Sequence, residues 1–106
     1  MEGDALRGHL ELLLLAALAR DEQHGYALIE WLRSQSAGAL DLGEGSVYPA
    51  LRRLEASGCV TSSWRTEGGR RKRVYRLTKR GEKRLTSERQ GWNDLVRTVG
   101  LVLEAS

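Results

Sequence analysis

The chain has little cysteine and no long apolar run, and each shortage excludes a class of protein. Its one cysteine, Cys59, cannot form a disulfide within a chain and offers a single sulfur to any metal site. Neither His9 nor His24 has another histidine, cysteine or carboxylate at metal-ligand spacing. The longest apolar run, residues 12–19, is much shorter than the ~20 residues that span a bilayer. We therefore expect a soluble cytoplasmic protein with no metal, no cofactor and no membrane contact.

What is present is typical of one globular domain, except for the placement of charge. Apolar residues make up 41% of the 106-residue chain and charged residues 29%, which favours a folded domain over a disordered one. Residues 65–84 hold ten basic and two acidic side chains, a local charge of +8 in a chain of net charge +3. Such a basic block is typical of a surface that binds a polyanion. A merely solvated run of charge is the alternative.

Apolar spacing predicts a mostly α-helical chain with one small β-hairpin. The predicted elements are helices over residues 6–20 and 25–34, a turn-rich connector over 36–44, a helix over 45–58, strands over 59–65 and 73–78, and a long helix from 78 to about 103. The first helix is apolar on more than one face, so we expect a second copy to cover part of it. His24 is expected to start the second helix or hydrogen-bond there, and Gly25 would permit the close approach of a neighbouring helix or of a partner's backbone. Residues 66–72, with a Gly-Gly turn and three basic residues, should form an exposed, mobile hairpin tip.

Residues 45–58 form the helix around which the other elements are arranged. One face of this helix is apolar and the opposite face carries two adjacent arginines. The apolar residues are Val47, Leu51 and Leu54, with Ala50 beside them. Arg52 and Arg53 have the chemistry for paired hydrogen bonds to guanine edges or phosphate oxygens. An ordinary surface helix with solvated arginines is the alternative.

The small residues of this stretch predict where the helix begins and ends. Ser46 is the expected N-cap, with the helix starting near Gly45 or Ser46. The one proline of the chain, Pro49, then falls in the first turn, where backbone N–H groups lack helical partners in any case. Gly58 is expected to stop the helix at its carboxyl end.

The order of elements is that of a winged helix-turn-helix domain followed by a long helix. In such a domain the third helix enters the major groove of DNA, and the hairpin, or wing, reaches a neighbouring groove or phosphates. The arginine face and the basic block therefore fall on the two elements that would touch DNA. Arg70, Arg71 and Lys72 are expected to bind backbone phosphates, which gives affinity without sequence information.

The last predicted helix carries a seven-residue apolar repeat like that of a coiled coil. Because so small a domain has little to cover this seam, the pattern favours dimerisation against the first helix of a second copy. The predicted dimer interface consists of Leu10, Leu13, Leu85, Trp92, Leu95, Val99 and Val102. A monomer whose last helix folds back on its own core is the alternative.

Three stretches of the chain carry a family resemblance. They are residues 45–58 (GSVYPALRRLEASG), the tripeptide His24-Gly25-Tyr26, and residues 68–81 (GGRRKRVYRLTKRG). The first resembles the recognition helix of PadR-like transcriptional regulators, and the other two resemble that family's other landmarks in order and spacing. The resemblance covers nearly all of the chain. It implies a bacterial, dimeric winged-helix repressor that binds a palindromic double-stranded operator.

The resemblance also implies which residues contact DNA and how the chain is divided. The residues that match the family's DNA contacts are Ser46, Tyr48, Pro49, Arg52, Gly69, Arg70 and Arg71. Arg53 and Lys72 join them because of their charge and position. The single C-terminal helix is similar to that of the short PadR subfamily, in which it crosses the partner's first helix. We therefore expect a winged helix-turn-helix DNA-binding domain over residues 5–78 and a C-terminal dimerisation helix over 79–104.

Trp92 points to regulation by a ligand. A residue near the centre of a two-fold interface can meet its own copy, and paired indoles beside a cavity would stack a flat aromatic compound. PadR-like proteins include regulators released by phenolic acids or drugs, so the resemblance implies a small aromatic effector. We predict that Trp92, Leu14 and Val96 contact it. A packing role for Trp92 in the dimer seam is the alternative.

Two other classes of function compete with a ligand-responsive repressor. A winged helix can act as a protein-interaction module, but a protein partner more often requires mixed polarity and apolar anchors than concentrated positive charge. An enzyme has little support, because Cys59 has no histidine near it in sequence and no paired carboxylates form a pocket-like motif.

Overall fold

The computed structural model describes residues 8–106, which form four helices and a three-stranded antiparallel sheet. The elements are α1 (Leu10–Arg20), β1 (Gln23–His24), α2 (Gly25–Gln35), α3 (Glu44–Ala56), β2 (Val60–Glu67), β3 (Arg70–Leu77) and α4 (Lys79–Ala105). The strands lie in the order β1-β3-β2. The predicted fold class is confirmed, with α3 in the place of the recognition helix and the β2–β3 hairpin as the wing.

Helix α1 lies at the centre of the protomer. Residues 5–7, with which the predicted first domain and helix begin, lie outside the described residues. Leu14 and Leu15 have no exposed surface, because α1 contacts α2, α3, α4 and β3 of the same chain. Much of the cover that the sequence assigned to a second copy is therefore supplied within the protomer. Leu12 and Leu13 are only partly buried against this core.

Strand β1 was not predicted from the sequence. Its two residues pair with β3, with Gln23 opposite Tyr75 and His24 opposite Val74. A segment of two residues has no measurable alternation, so the pairing depends on backbone groups that β3 presents. His24 also caps α2, since its Nδ1 accepts a hydrogen bond from the amide of Ala27 at 3.3 Å. The predicted helix-start role of this histidine is confirmed.

Helix α3 begins earlier than predicted. It starts at Glu44 with Gly43 as its N-cap, so the predicted N-cap role of Ser46 is wrong. The amide of Ser46 already donates to the Gly43 carbonyl at 3.2 Å, which places Ser46 inside the first turn. Pro49 consequently lies in the second turn and not the first. Because proline has no N–H, the carbonyl of Gly45 lacks its usual helical donor.

The carboxyl end of α3 matches the prediction at Gly58, which has a φ of 78°. The amide of Cys59 donates to the carbonyl of Leu54 at 2.9 Å, and the amide of Gly58 donates to that of Glu55 at 3.0 Å. This pair of bonds is the Schellman motif, which favours glycine at the position with positive φ. The motif turns the chain directly into β2.

The wing is a regular hairpin with a two-residue turn. Gly68 and Gly69 both have positive φ, 57° and 77°, and Glu67 pairs with Arg70 across them. This turn type twists in the same sense as the strands it joins. The predicted loop over residues 66–72 is therefore too long, since Arg70 and the two basic residues after it already belong to β3.

Helix α4 is buried against the domain only in its first turns. Thr78 caps it, as predicted, by accepting a hydrogen bond from the amide of Gly81 at 3.1 Å. Leu85 is the last buried residue, and almost every residue from Arg89 onward is exposed. Within residues 8–106, every helix is either too short or too polar to cross a bilayer.

Candidate nucleic-acid interface

A basic groove runs between α3 and the wing, and we call it the wing groove. It has a volume of ≈ 630 Å³. It is lined by Tyr48, Arg52 and Glu55 of α3, by Trp64, Arg70, Arg71, Lys72, Arg73 and Tyr75 of the wing, and by His24, Gly25 and Tyr26 at the start of α2. Five of these side chains are arginine or lysine and one is glutamate, so the groove attracts an anion.

The structure brings together most of the predicted DNA contacts. The wing groove contains Tyr48, Arg52, Arg70, Arg71 and Lys72. Outside its wall, Ser46 is exposed and Pro49 half-buried on α3, while Gly69 lies in the turn at the tip of the wing. Arg53 is turned away, and its Nε donates to the carboxylate of Glu11 in α1 at 3.1 Å. The structure therefore does not bring Arg53 to the groove.

Most of the basic side chains of the groove have their charge available. No ion pair formed within residues 8–106 engages Arg52, Arg70, Arg71 or Lys72. The last three are neighbours at the start of β3, so they alternate between the two faces of the wing. This arrangement can neutralise phosphates on both sides of the hairpin.

Tyr48 is held in the groove by Gly25. A Cβ at position 25 would lie 2.5 Å from Cε1 of the Tyr48 ring, so glycine is the residue that leaves room for the phenol. The predicted close approach at Gly25 is thus confirmed. Burial, with a smaller contribution from Glu44, raises the pKa of Tyr48. Its hydroxyl therefore keeps its proton at neutral pH and can donate to a phosphate oxygen.

Trp64 is a groove residue that sequence reasoning did not assign. Its indole is 55% exposed, and the guanidinium carbons of Arg71 and Arg73 lie 4.9 and 5.6 Å from the ring centroid. Such cation–π contacts hold the arginine side chains on the face of the wing that looks toward α3. The signal in the sequence was a tryptophan in the first strand of the hairpin, whose second strand is rich in basic residues. In the structure, Trp64 pairs directly with Arg73 of that second strand.

Glu55 fastens the wing to α3. Its Oε2 accepts a hydrogen bond from the hydroxyl of Ser62 at 2.6 Å and lies 3.5 Å from a terminal nitrogen of Arg73. Arg73 completes the triangle by donating from Nε to the Ser62 oxygen at 2.8 Å. The contact joins α3 to the wing, the two elements that are predicted to contact DNA. Sequence reasoning did not identify it because the three residues come from three different elements.

The opposite face of the wing is held by Arg65. Its guanidinium lies 2.6 Å from the carboxylate of Glu22, which precedes β1. The hydrogen bond from Arg65 lowers the pKa of the Glu22 carboxyl. Arg65 and Arg73 are thus committed to carboxylates of the same chain. The positive charge that residues 65–84 can offer to DNA is therefore smaller than their formal charge of +8.

A second concavity, which we call the Trp92 cleft, lies between α1 and α4 and has a volume of ≈ 400 Å³. It is lined by Gly8, His9, Glu11, Leu12, Arg84, Glu88, Gly91, Trp92 and Leu95. The indole of Trp92 meets the His9 imidazole edge to face, with centroids 5.0 Å apart. Val96 is exposed on the next turn of α4, whereas Leu14 is fully buried in the core. Leu14 therefore presents no surface to a ligand in the cleft.

The predicted dimer interface divides into two groups. Leu10 and Leu85 are buried in the protomer's own core, because α4 packs its first turns against α1. They are corrected to core residues. Leu13 is half-buried. Trp92, Leu95, Val99 and Val102 lie on α4 with between 42% and 68% of their surface exposed.

A helix-turn-helix unit with a basic wing groove and a long helix with an exposed apolar stripe defines the class of winged-helix transcriptional regulators. The family model "Transcriptional regulator PadR-like family" matches residues 14–87. The chain therefore belongs to the PadR-like family of transcriptional regulators. Members of this family bind DNA, are typically dimers, and are regulators and not enzymes.

Relatives and solved structures agree with this assignment. The chain is 37% identical over 94 residues to the transcriptional regulator Rv3488 of Mycobacterium tuberculosis, covering 88% of this chain and 84% of that protein. A PadR family transcriptional regulator from Eggerthella lenta superposes with a TM-score of 0.86 at 32% identity, over 97% of this chain and 88% of that one. The PadR-like transcriptional regulator BC4206 from Bacillus cereus superposes with a TM-score of 0.85 at 26% identity, over 98% and 100% of the chains.

Proposed function

We propose that this PadR-family regulator is a cytoplasmic repressor that binds a palindromic double-stranded operator as a homodimer, with one wing groove from each protomer. The observation that carries the proposal is the set of basic side chains in the groove that have no carboxylate partner among residues 8–106. Arg52 stands on α3, where it can reach base edges in the major groove. Arg70, Arg71 and Lys72 stand on the wing, where they can reach phosphates.

The exposed stripe of α4 supports the dimer. Leu95, Val96 and Val99 leave between 45% and 53% of their surface exposed on successive turns. A helix that projects from its domain with an apolar face requires a partner to remove that face from water. Trp92 and Val99 are separated by one seven-residue repeat, with apolar residues between them. A repeat of this kind suits packing against α4 and α1 of a second copy. In a two-fold dimer the two recognition helices would face two half-sites.

The Trp92 cleft supports a small planar aromatic effector that relieves repression. One wall is the indole of Trp92, and Leu12 and Leu95 add apolar surface. A flat ring could stack on the indole with polar groups directed at the charged side chains of the cleft. Titration of phenolic acids and planar cationic dyes into the protein–DNA complex tests this site. Release must be saturable in the wild type and weaker in Trp92→Ala; equal release from both would contradict it.

A protein-interaction module without specific DNA binding is the second function. The two functions differ in their response to salt.

Selection from random oligonucleotides should first yield a palindromic sequence. The logarithm of its affinity should then fall by ~0.9 per phosphate neutralised for each unit of log salt concentration. Failure to enrich any sequence, together with a flat salt response, would favour the protein partner.

A further inference from the structure

One carboxylate joins the recognition helix to the Trp92 cleft. Glu11 of α1 accepts a hydrogen bond from Nε of Arg53 in α3 at 3.1 Å on Oε2. On Oε1 it accepts one from the guanidinium of Arg84 in α4 at 2.8 Å. Arg84 in turn donates from Nε to Glu88 at 2.9 Å. We call the four residues the ion-pair chain; they connect α3, α1 and α4 without a break.

The inner members of this chain, Glu11 and Arg84, are partly buried and remain charged. The side chains of Glu11 and Arg84 are 28% and 33% exposed. Burial alone would raise the pKa of Glu11, but hydrogen bonds from Arg84 and Arg53 outweigh it, so the pKa lies below its ordinary value. Burial alone would lower the pKa of Arg84, and its hydrogen bonds to Glu11 and Glu88 reverse that effect. Glu11 is thus the shared counterion of two arginines.

Three of the four residues are also walls of the Trp92 cleft. Glu11, Arg84 and Glu88 line it together with Trp92, whereas Arg53 lies outside it on α3. A change in the cleft therefore acts directly on the carboxylate that holds Arg53. Glu11 belongs both to the wall of the Trp92 cleft and to the ion pair with Arg53. A displacement of its carboxylate can therefore be transmitted from the cleft to α3.

A second contact joins the start of α4 to the turn that ends α3. The hydroxyl of Thr78 donates to the carbonyl of Gly58 at 2.7 Å. Gly81 packs directly against the carbonyl of Cys59, where a Cβ would overlap with it. The start of α4 is therefore fixed to the Schellman turn of α3. The ion-pair chain holds the same two helices one turn further along α4.

We propose that Glu11 and Arg53 are positioning residues that couple the Trp92 cleft to the recognition helix. Arg53 sets the orientation of α3 through Glu11 and does not read DNA itself. The inference rests on the proposed function, because it requires that α3 binds DNA. Coupling between two sites is reciprocal, so DNA on α3 must change the surroundings of Trp92, even with no effector present.

The test uses the full chain labelled with 5-fluorotryptophan and observed by fluorine NMR. The three tryptophans report on three places: Trp31 on α2, Trp64 in the wing and Trp92 in the cleft. A Trp92→Phe spectrum assigns the cleft resonance. The selected operator duplex is added to saturation, and binding is followed separately by the anisotropy of a labelled duplex. The wild type is expected to show a DNA-induced shift at Trp92.

The variants decide whether the ion-pair chain carries that shift. Glu11→Gln should abolish the DNA-induced Trp92 shift at saturating DNA, and so should Arg53→Gln. Arg53→Gln is the stricter variant, because this side chain is 59% exposed and lies outside the cleft, so its replacement leaves the walls of the cleft in place. Arg33→Gln is the matched control, since Arg33 pairs with Glu30 and Asp41 and none of the three lines the Trp92 cleft, and it should keep the shift.

Each other outcome overturns the inference. A Trp92 shift that persists in Arg53→Gln and Glu11→Gln shows that coupling takes another route. Loss of the shift in Arg33→Gln as well removes the special role of Glu11 and Arg53. A silent Trp92 in wild type that nonetheless binds DNA means that the two sites are uncoupled. Failure of the wild type to bind any duplex would instead overturn the proposed function, and this inference with it.

Discussion

Arginines of this protein differ in what they are free to bind, although the sequence gives them the same formal charge. Arg53, Arg65 and Arg73 each have a carboxylate partner within the chain. Arg52 and Arg71 have none within residues 8–106. A guanidinium paired with a carboxylate has its charge partly neutralised, so it adds less to DNA affinity than an unpaired one. The function of each arginine is therefore decided by its neighbours.

Adjacent Arg52 and Arg53 should respond differently to truncation. Arg52→Ala is expected to lower operator affinity by about 1–3 kcal/mol and to relax base preference at one position, since it removes a base contact. Arg71→Ala should weaken binding to all duplexes similarly, because a phosphate contact carries no sequence information. Arg53→Ala is the control and should leave base preference unchanged. The measurement is competition binding with single-base operator variants.

The division into base reader and phosphate anchor has a clear contrary result. If Arg52→Ala and Arg71→Ala reduce specific and non-specific binding in equal proportion, Arg52 contacts only the backbone. If Arg53→Ala changes base preference, then either the side chain leaves Glu11 to contact a base, or the orientation that it gives to α3 selects the base. Either result would alter the role assigned to that residue.

Gly25 is the residue on which the position of Tyr48 depends. Gly25→Ala is expected to destabilise the fold by about 1–3 kcal/mol, because the new methyl overlaps with the Tyr48 ring and forces it outward. Operator binding should weaken in parallel. Gly45→Ala is the control: a Cβ there meets no atom within 4 Å, and alanine favours a helix by up to about 1 kcal/mol. Thermal unfolding of both variants tests this prediction, and an unchanged melting temperature for Gly25→Ala would contradict it.

At the scale of elements, periodic features could be predicted and long-range pairings could not. The helices followed from apolar spacing, and the end of α3 followed from Gly58, because glycine adopts the φ of 78° that the turn requires. The start of α3 was misplaced because Gly43 caps it without a side-chain signal. Strand β1 is too short to show alternation. The bonds of Glu11 span 42 and 73 residues, and no local pattern reports such a contact.

The contact of Glu11 also predicts how the attachment of α1 to α3 and α4 depends on pH. A carboxyl whose pKa is lowered by folding stabilises the folded state above its unfolded pKa, which is ~4.3. That stabilisation is lost as pH falls through the still lower folded value. Glu11→Gln should therefore cost on the order of 1 kcal/mol at pH 7, and the difference from wild type should shrink toward pH 3. Denaturant unfolding between pH 7 and pH 3 measures this difference in the free energy of unfolding. A difference that does not depend on pH would exclude the ion pair as its cause.

At the scale of the whole molecule, the domain and the projecting α4 have different requirements. The domain has a core of its own, in which Leu51 and Leu54 are fully buried. The distal half of α4 has nearly every side chain exposed in the protomer. Members of the PadR family are typically dimers, so a second copy is the partner proposed for this half of α4, and in that dimer the spacing of the two recognition helices would depend on how the α4 helices meet. The effector proposed for the Trp92 cleft would act on the part of the same helix between Arg84 and Leu95.

Two positions on α4 test whether its stripe is the dimer surface. Val99 lies with Leu95 on the apolar stripe, whereas Leu101, two residues later, projects about 200° around the helix. Both are large, apolar and exposed, at 45% and 64%. Val99→Lys should place a charge in the interface and convert the dimer to monomer at micromolar concentration. Leu101→Lys adds the same charge to the opposite face and should leave the dimer intact. Light scattering after size-exclusion chromatography gives the mass directly. Dissociation by both variants or by neither would assign the dimer to another surface, whereas dissociation by Val99→Lys alone should also reduce operator binding to that of a single half-site.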